Sequence, residues 1–184
     1  GCTGRAGIVS RLVCHFSCGA ASAIATKLTL AQSDPANVLI VNAFIQEEHS
    51  DNRRFLADCE RWFGVPIAIL RDTRFGASAI NVWTKERFIV GRQGAPCSRA
   101  LKREPMDAWV EANRDPRNTA LVYGIDRDEE HRFRRLAARR ERWRCEAPMC
   151  EAPFLSRAGM LDVLRADGLK PPRLDGRSRR DSQP

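Results

Sequence analysis

The residues best suited to chemistry lie between an apolar run and a helical one, at Ser17-Cys18-Gly19-Ala20-Ala21-Ser22. Small side chains let backbone N–H groups approach an oxyanion, and the positive end of a following helix favours the negative charge. Ser17 and Ser22 add hydroxyl donors. The same small residues equally serve close helix–sheet packing, so both roles stand open. The pattern is neither GxGxxG nor GxxxxGK[ST], which argues against a Rossmann dinucleotide site and a P-loop kinase. Cys18 stands at a helix start, where the dipole lowers a thiol pKa, so it is the first candidate for a reactive thiol. Cys97, Cys145 and Cys150 with His131 or His49 offer a metal set, although Cys-x4-Cys is not a standard zinc spacing. His15, His49 and His131 are too dispersed for a catalytic pair, and His15 reads as a surface residue. Trp62, Trp109 and Trp143 sit at helical spacing as core, and Trp83 falls in an irregular stretch where it is free to stack on a base.

The elements that must position these groups follow from periodicity. Residues 8–16 (IVSRLVCHF), 37–43, 67–70 and 119–123 are short β-branched and apolar runs of the kind that form buried parallel strands. Between them Ala21, Ile24, Ala25, Leu28 and Ala31 mark a helix over 20–32. A second helix runs from a Ser50 or Asp51 cap to Phe63 and stops at Gly64. Residues 71–95 read as irregular with one short helix. Further helices are expected over 98–102, over 105–112, over about 128–143, and over 156–167 with Ser156 as cap and Gly168 as stop. The β-α-β-α-β alternation predicts an α/β fold, a three-layer sandwich with a mainly parallel twisted sheet and helices on both faces. One domain over 8–168 is expected. Residues 1–7 (GCTGRAG) are set aside as a tag or a processed start, and 169–184 as a polar, flexible tail.

The SxGxxS pattern at Ser17, Gly19 and Ser22 resembles the PP-loop of the adenine nucleotide alpha-hydrolase-like superfamily. Three more segments narrow the resemblance to its phosphoadenosine phosphosulfate (PAPS) reductase-like family. Acidic Glu47-Glu48 follow the second strand, Cys97-Ser98-Arg99-Ala100-Leu101-Lys102 leads into a helix, and Gly124, Asp126 and a run of acidic then basic residues follow the fourth strand. In order and spacing the resemblance covers about 8–155. It implies that Ser17, Cys18, Gly19, Ala20 and Ser22 hold phosphate, with Lys102 and Arg132 neutralising charge. It further implies that Glu47, Glu48, Cys97, Gly124 or Asp126 contact the nucleotide or a metal. The implied cofactor is an adenine nucleotide, ATP or PAPS, with Mg2+ as its counter-ion, and no iron–sulfur cluster. Two departures limit the carry-over. Ala21 replaces the Asp usual in ATP pyrophosphatases, and no Cys follows Cys150, whereas the reductases use a C-terminal thiolate as nucleophile. The catalytic residues are therefore unassigned.

The 184 residues are 43% hydrophobic and 29% charged, enough for one buried core and too apolar for a disordered polyelectrolyte. No run approaches the length of a membrane helix, and no secretory leader is visible. Seven scattered cysteines suit a reducing, cytoplasmic setting. The net charge of +8 is concentrated: 127–144 holds eight Arg against four acidic residues, and 170–184 holds five basic against two. Partners bearing phosphate follow. Three functions compete. One is a nucleotide-binding transferase or oxidoreductase acting at an α-phosphate or a sulfate. Another is a nucleic-acid modification enzyme that uses the 127–144 face. The last is a non-catalytic relative serving protein interaction. Whichever holds, a second copy of the chain is a further candidate partner. Arg127 and Arg132 are either an anion clamp or a helix face of Glu/Arg pairs of small worth.

Overall fold

Strands that are apolar on both sides need helices on both sides, and the chain supplies them in alternation. A computed structural model describes residues 11–90 and 95–173. Its sheet has five parallel strands in the order β3-β2-β1-β4-β5. These are β1 (Arg11–His15), β2 (Val38–Phe44), β3 (Ile67–Arg71), β4 (Thr119–Tyr123) and β5 (Arg144–Glu146). The helices are α1 (Ala20–Gln32), α2 (Ser50–Phe63), α3 (Ala79–Glu86), α4 (Glu104–Asn113), α5 (Glu130–Ala138) and α6 (Arg157–Ala166). The fold is the expected α/β three-layer sandwich.

Alternation along the strands divides the core into two layers. Cys14, Phe16, Ile40 and Val122 pack with α1, α2 and α6 on one face. Val13, Val41, Leu121 and Tyr123 pack with α4 and α5 on the other. A third cluster, built from Ile45, Ala79, Val82, Ala100 and Leu101, joins α3 to a π-helical turn, Ser98–Arg103, that runs straight into α4. After β1 the chain builds β2 and β3 on one side, then crosses to build β4 and β5 on the other. The loops leaving β1 and β4 therefore stand where the strand order reverses, at the carboxyl edge of the sheet.

Several expectations need correction. Of the first strand, 11–15 forms β1, and 8–10 lie outside the described residues, as do Gly91 and Gly94. The cap of α2 is neither Ser50 nor Asp51: the Nδ1 of His49 accepts from the Asp51 N–H at 3.0 Å. The helix expected over 128–143 ends at Ala138. There the N–H groups of Arg139 and Arg140 tighten onto carbonyls three residues back, and the turn drops Trp143 into the core at 6% exposure. That burial delivers residues 144–146 to the edge of β4 as a fifth strand. The expected tail is held at its start. Leu169 is buried, Arg54 donates to the carbonyls of Lys170 and Pro171, and the Arg173 N–H donates to Asp51 at 2.7 Å. Residues 174–184 lie outside the described residues.

Candidate functional site

The bend after β1 is built around one hydroxyl. Ser22, at the third position of α1, is buried, and its Oγ accepts from the N–H of Ser17 at 3.1 Å, from the Ser17 hydroxyl at 3.1 Å and from the N–H of Gly19 at 3.3 Å. The same hydroxyl donates to the Gly19 carbonyl at 2.9 Å. The expectation of a bend that presents open amides is corrected: two of them are spent inside the loop. Cys18 takes the left-handed conformation, φ 60°, and is only 5% exposed. Buried Asn42 on β2 pins it from below, donating to the Phe16 carbonyl at 2.9 Å and approaching the Cys18 sulfur at 3.5 Å. Burial, with the nearby Glu48 carboxylate, pushes the Cys18 thiol up to about 12 against the opposing pull of Lys102 and Asn42. Buried and with its thiol pushed up, Cys18 lacks the exposed, electropositive setting that the expectation of a reactive thiol needs. Desolvation outweighs the helix dipole here.

Over this bend lies the turn after β4. A Cβ on Gly124 would sit 2.2 Å from the Cα of Ser22, so only glycine lets the two loops touch. Beside this contact, walled by the π-helical turn and α4 and by α5 with the turn after it, opens a cleft of about 1070 Å³. Ser17, Gly124, Lys102 and Arg132 all line it, so the structure brings these four expected site residues together. Cys18, Gly19, Ala20 and Ser22 shape the bend but are not among its lining residues. Both cations already have acidic partners: Lys102 Nζ meets Glu48 at 2.5 Å, and Arg132 pairs with Glu129. Arg103 and Arg139 also line the cleft and make no ion pair among the described residues. Seven cationic side chains against five acidic ones leave the rim net positive.

Other expected contacts fall elsewhere. Glu47 accepts from the Ser78 hydroxyl at 2.5 Å and from the Ala79 N–H at 2.8 Å, so it serves the start of α3. Burial opposes its charge, but these donors outweigh that and hold its carboxyl below the usual range. Asp126 accepts from the Glu129 N–H and caps the turn before α5. Cys97 packs against the α3 cluster, as does Trp83. Cys145 lies on β5 in the α4–α5 layer, and Cys150 donates to the Ile125 carbonyl. Among the described residues, no three His, Cys, Asp or Glu side chains converge on a metal position, so the set imagined from Cys97, Cys145 and Cys150 is not assembled. Arg127 lies over the Phe154 ring at 3.7 Å.

Two lining residues escaped the sequence reading. His15 ends β1 and Tyr123 ends β4, paired in register, with rings 4.5 Å apart. Burial of its ring nitrogen first, and the Arg140 charge second, lower the His15 pKa to about 3, so the expected surface histidine is a neutral, half-buried one. Alternation is the one signal that pointed here, since it sets His15 on the same face as Val13.

No family model and no curated protein matches this chain. Chemically, the cleft combines a hydroxyl, several guanidinium and ammonium groups and a wall of backbone, a set able to bind an oxyanion on a larger body. Among the described residues, no helix is long and apolar enough to cross a membrane.

Proposed function

We propose that the cleft binds an adenine nucleotide, ATP or a sulfonucleotide such as PAPS, with its phosphate or sulfate oxygens at Ser17, Lys102 and Arg132. The observation that carries this reading is the convergence of those three residues on one cleft, where the strand order reverses. Open α/β sheets place their ligands at that point, and about 1070 Å³ accommodates a mononucleotide. The choice of adenine rests on the PP-loop resemblance. Since Ser22 occupies two amides of the bend and the Ser17 hydroxyl as well, Ser17 meets an oxyanion only by exchanging that bond, and side-chain cations carry more of the anion binding than the loop pattern alone suggests. Cys18 is buried at 5% exposure, so the reading is of binding, with chemistry at the α-phosphate or sulfate left to a partner substrate.

The nucleic-acid reading has less support. Within 127–144, Arg132, Arg139, Arg140 and Arg142 line the cleft instead of a separate face, and Arg134 and Arg144 pair with carboxylates. Calorimetric titration with ATP, adenosine bisphosphate and PAPS, with and without Mg2+, is the test. Lys102→Ala and Arg132→Ala are each expected to weaken binding by about tenfold or more, the scale of a charged hydrogen bond. A folded sample that binds none of the three contradicts the proposal.

A further inference from the structure

The cationic rim accounts for a charged ligand group and leaves the inner part of the cleft without a role. That inner part includes His15 and Tyr123, side by side at the ends of neighbouring strands. His15 Nε2 and Tyr123 Oη are both buried, and neither has a hydrogen-bond partner in the protein. Tyr123 as a whole is 7% exposed. Polar atoms in such surroundings cost stability, and an apolar ring at either position would pack more cheaply. Two of them side by side, on residues that line one cleft, are unsatisfied polar groups just beneath its surface.

We propose that His15 Nε2 and Tyr123 Oη form an uncharged hydrogen-bonding subsite that takes the neutral polar part of the ligand, a nucleoside's base edge or ribose hydroxyl. The inference rests on the reading of this cleft as a nucleotide site. Charge sorts the two ends. Burial and the Arg140 charge keep His15 neutral, so it is no counter-ion for phosphate, and burial keeps the Tyr123 phenol protonated. A neutral imidazole and a phenol each offer a donor and an acceptor, which suits hydroxyls, ring nitrogens and amino groups. Arg140 is tied to Asp107 and little exposed, whereas Lys102 and Arg132, paired with Glu48 and Glu129, are open enough to exchange those carboxylates for phosphate.

The test compares ATP with inorganic tripolyphosphate, which has the charged part alone. Wild-type protein is expected to bind ATP at least about tenfold more tightly than tripolyphosphate, the worth of one or two hydrogen bonds. Tyr123→Phe is expected to lose that advantage for ATP, to bind tripolyphosphate as wild type does, and to melt no lower, since the hydroxyl removed has no partner. His15→Leu gives a second variant with the same expected loss. Equal wild-type affinity for ATP and tripolyphosphate overturns this inference, as does an ATP affinity that both substitutions leave unchanged. In either case the nucleotide site itself survives. A wild-type protein that binds neither ligand overturns both readings together.

Discussion

Burial of His15 couples its ionisation to folding. Its ordinary pKa is about 6.5, and in the folded chain it is lowered to about 3. Below the ordinary value the unfolded chain takes up a proton that the folded chain refuses. Stability is therefore present in full above pH 6.5 and is lost as pH falls toward 3, by up to about 1.4 kcal/mol per unit. The Asp51 carboxyl is held at about 2, first by Arg54 and then by the Arg173 N–H, and it adds its loss only below its own ordinary range. The melting temperature is expected to fall between pH 7 and pH 5, and His15→Leu is expected to flatten that fall; an unchanged slope contradicts the burial argument. At this scale the sequence is a partial guide. Ser17, Lys102 and Arg132 carry legible chemistry in their side chains. His15, Tyr123 and Asn42 owe their roles to the register of β1 against β4 and β2, a tertiary fact that no local spacing displays.

The contact between the bend after β1 and the turn after β4 decides whether the cleft keeps its shape. An added methyl at Gly124 would meet the Cα, N and Cβ of Ser22 at 2.2, 2.5 and 2.6 Å, and backbone cannot yield as a side-chain tip can. Gly124→Ala is expected to cost at least ~2 kcal/mol in urea denaturation, within the range of overpacked cores. Gly159→Ala on α6 is the control. Its Cβ would meet nothing closer than 3.5 Å, and helix propensity favours it, so stability is expected to hold or rise. Equal stability for the two variants contradicts the close-approach argument. Elements with strong periodicity were readable: α1 spans 20–32 and β4 spans 119–123, as their spacing indicates. β5 was not, because Arg-Cys-Glu carries no strand pattern and becomes a strand through the buried Trp143 before it. The early stop of α5 has the same cause.

At the scale of the whole molecule, topology and charge meet at one edge. The cleft lies where the strand order reverses from β1 to β4, the π-helical turn and α4 bring Lys102 and Arg103 to it, and α5 with the turn after it brings Arg132, Arg139 and Arg140. Much of the Arg-rich segment that looked like an outward nucleic-acid face is turned into this cleft or paired with carboxylates. The overall charge of +8 thus says less about partners than the placement of a few cations does. The most direct measurement is a crystal structure of the protein with ATP. The expected result is a nucleotide in the cleft, its phosphate oxygens within hydrogen-bond reach of Ser17 Oγ, Lys102 and Arg132. A nucleotide bound elsewhere, or one in the cleft with its phosphates turned away from those three side chains, would contradict the proposed site.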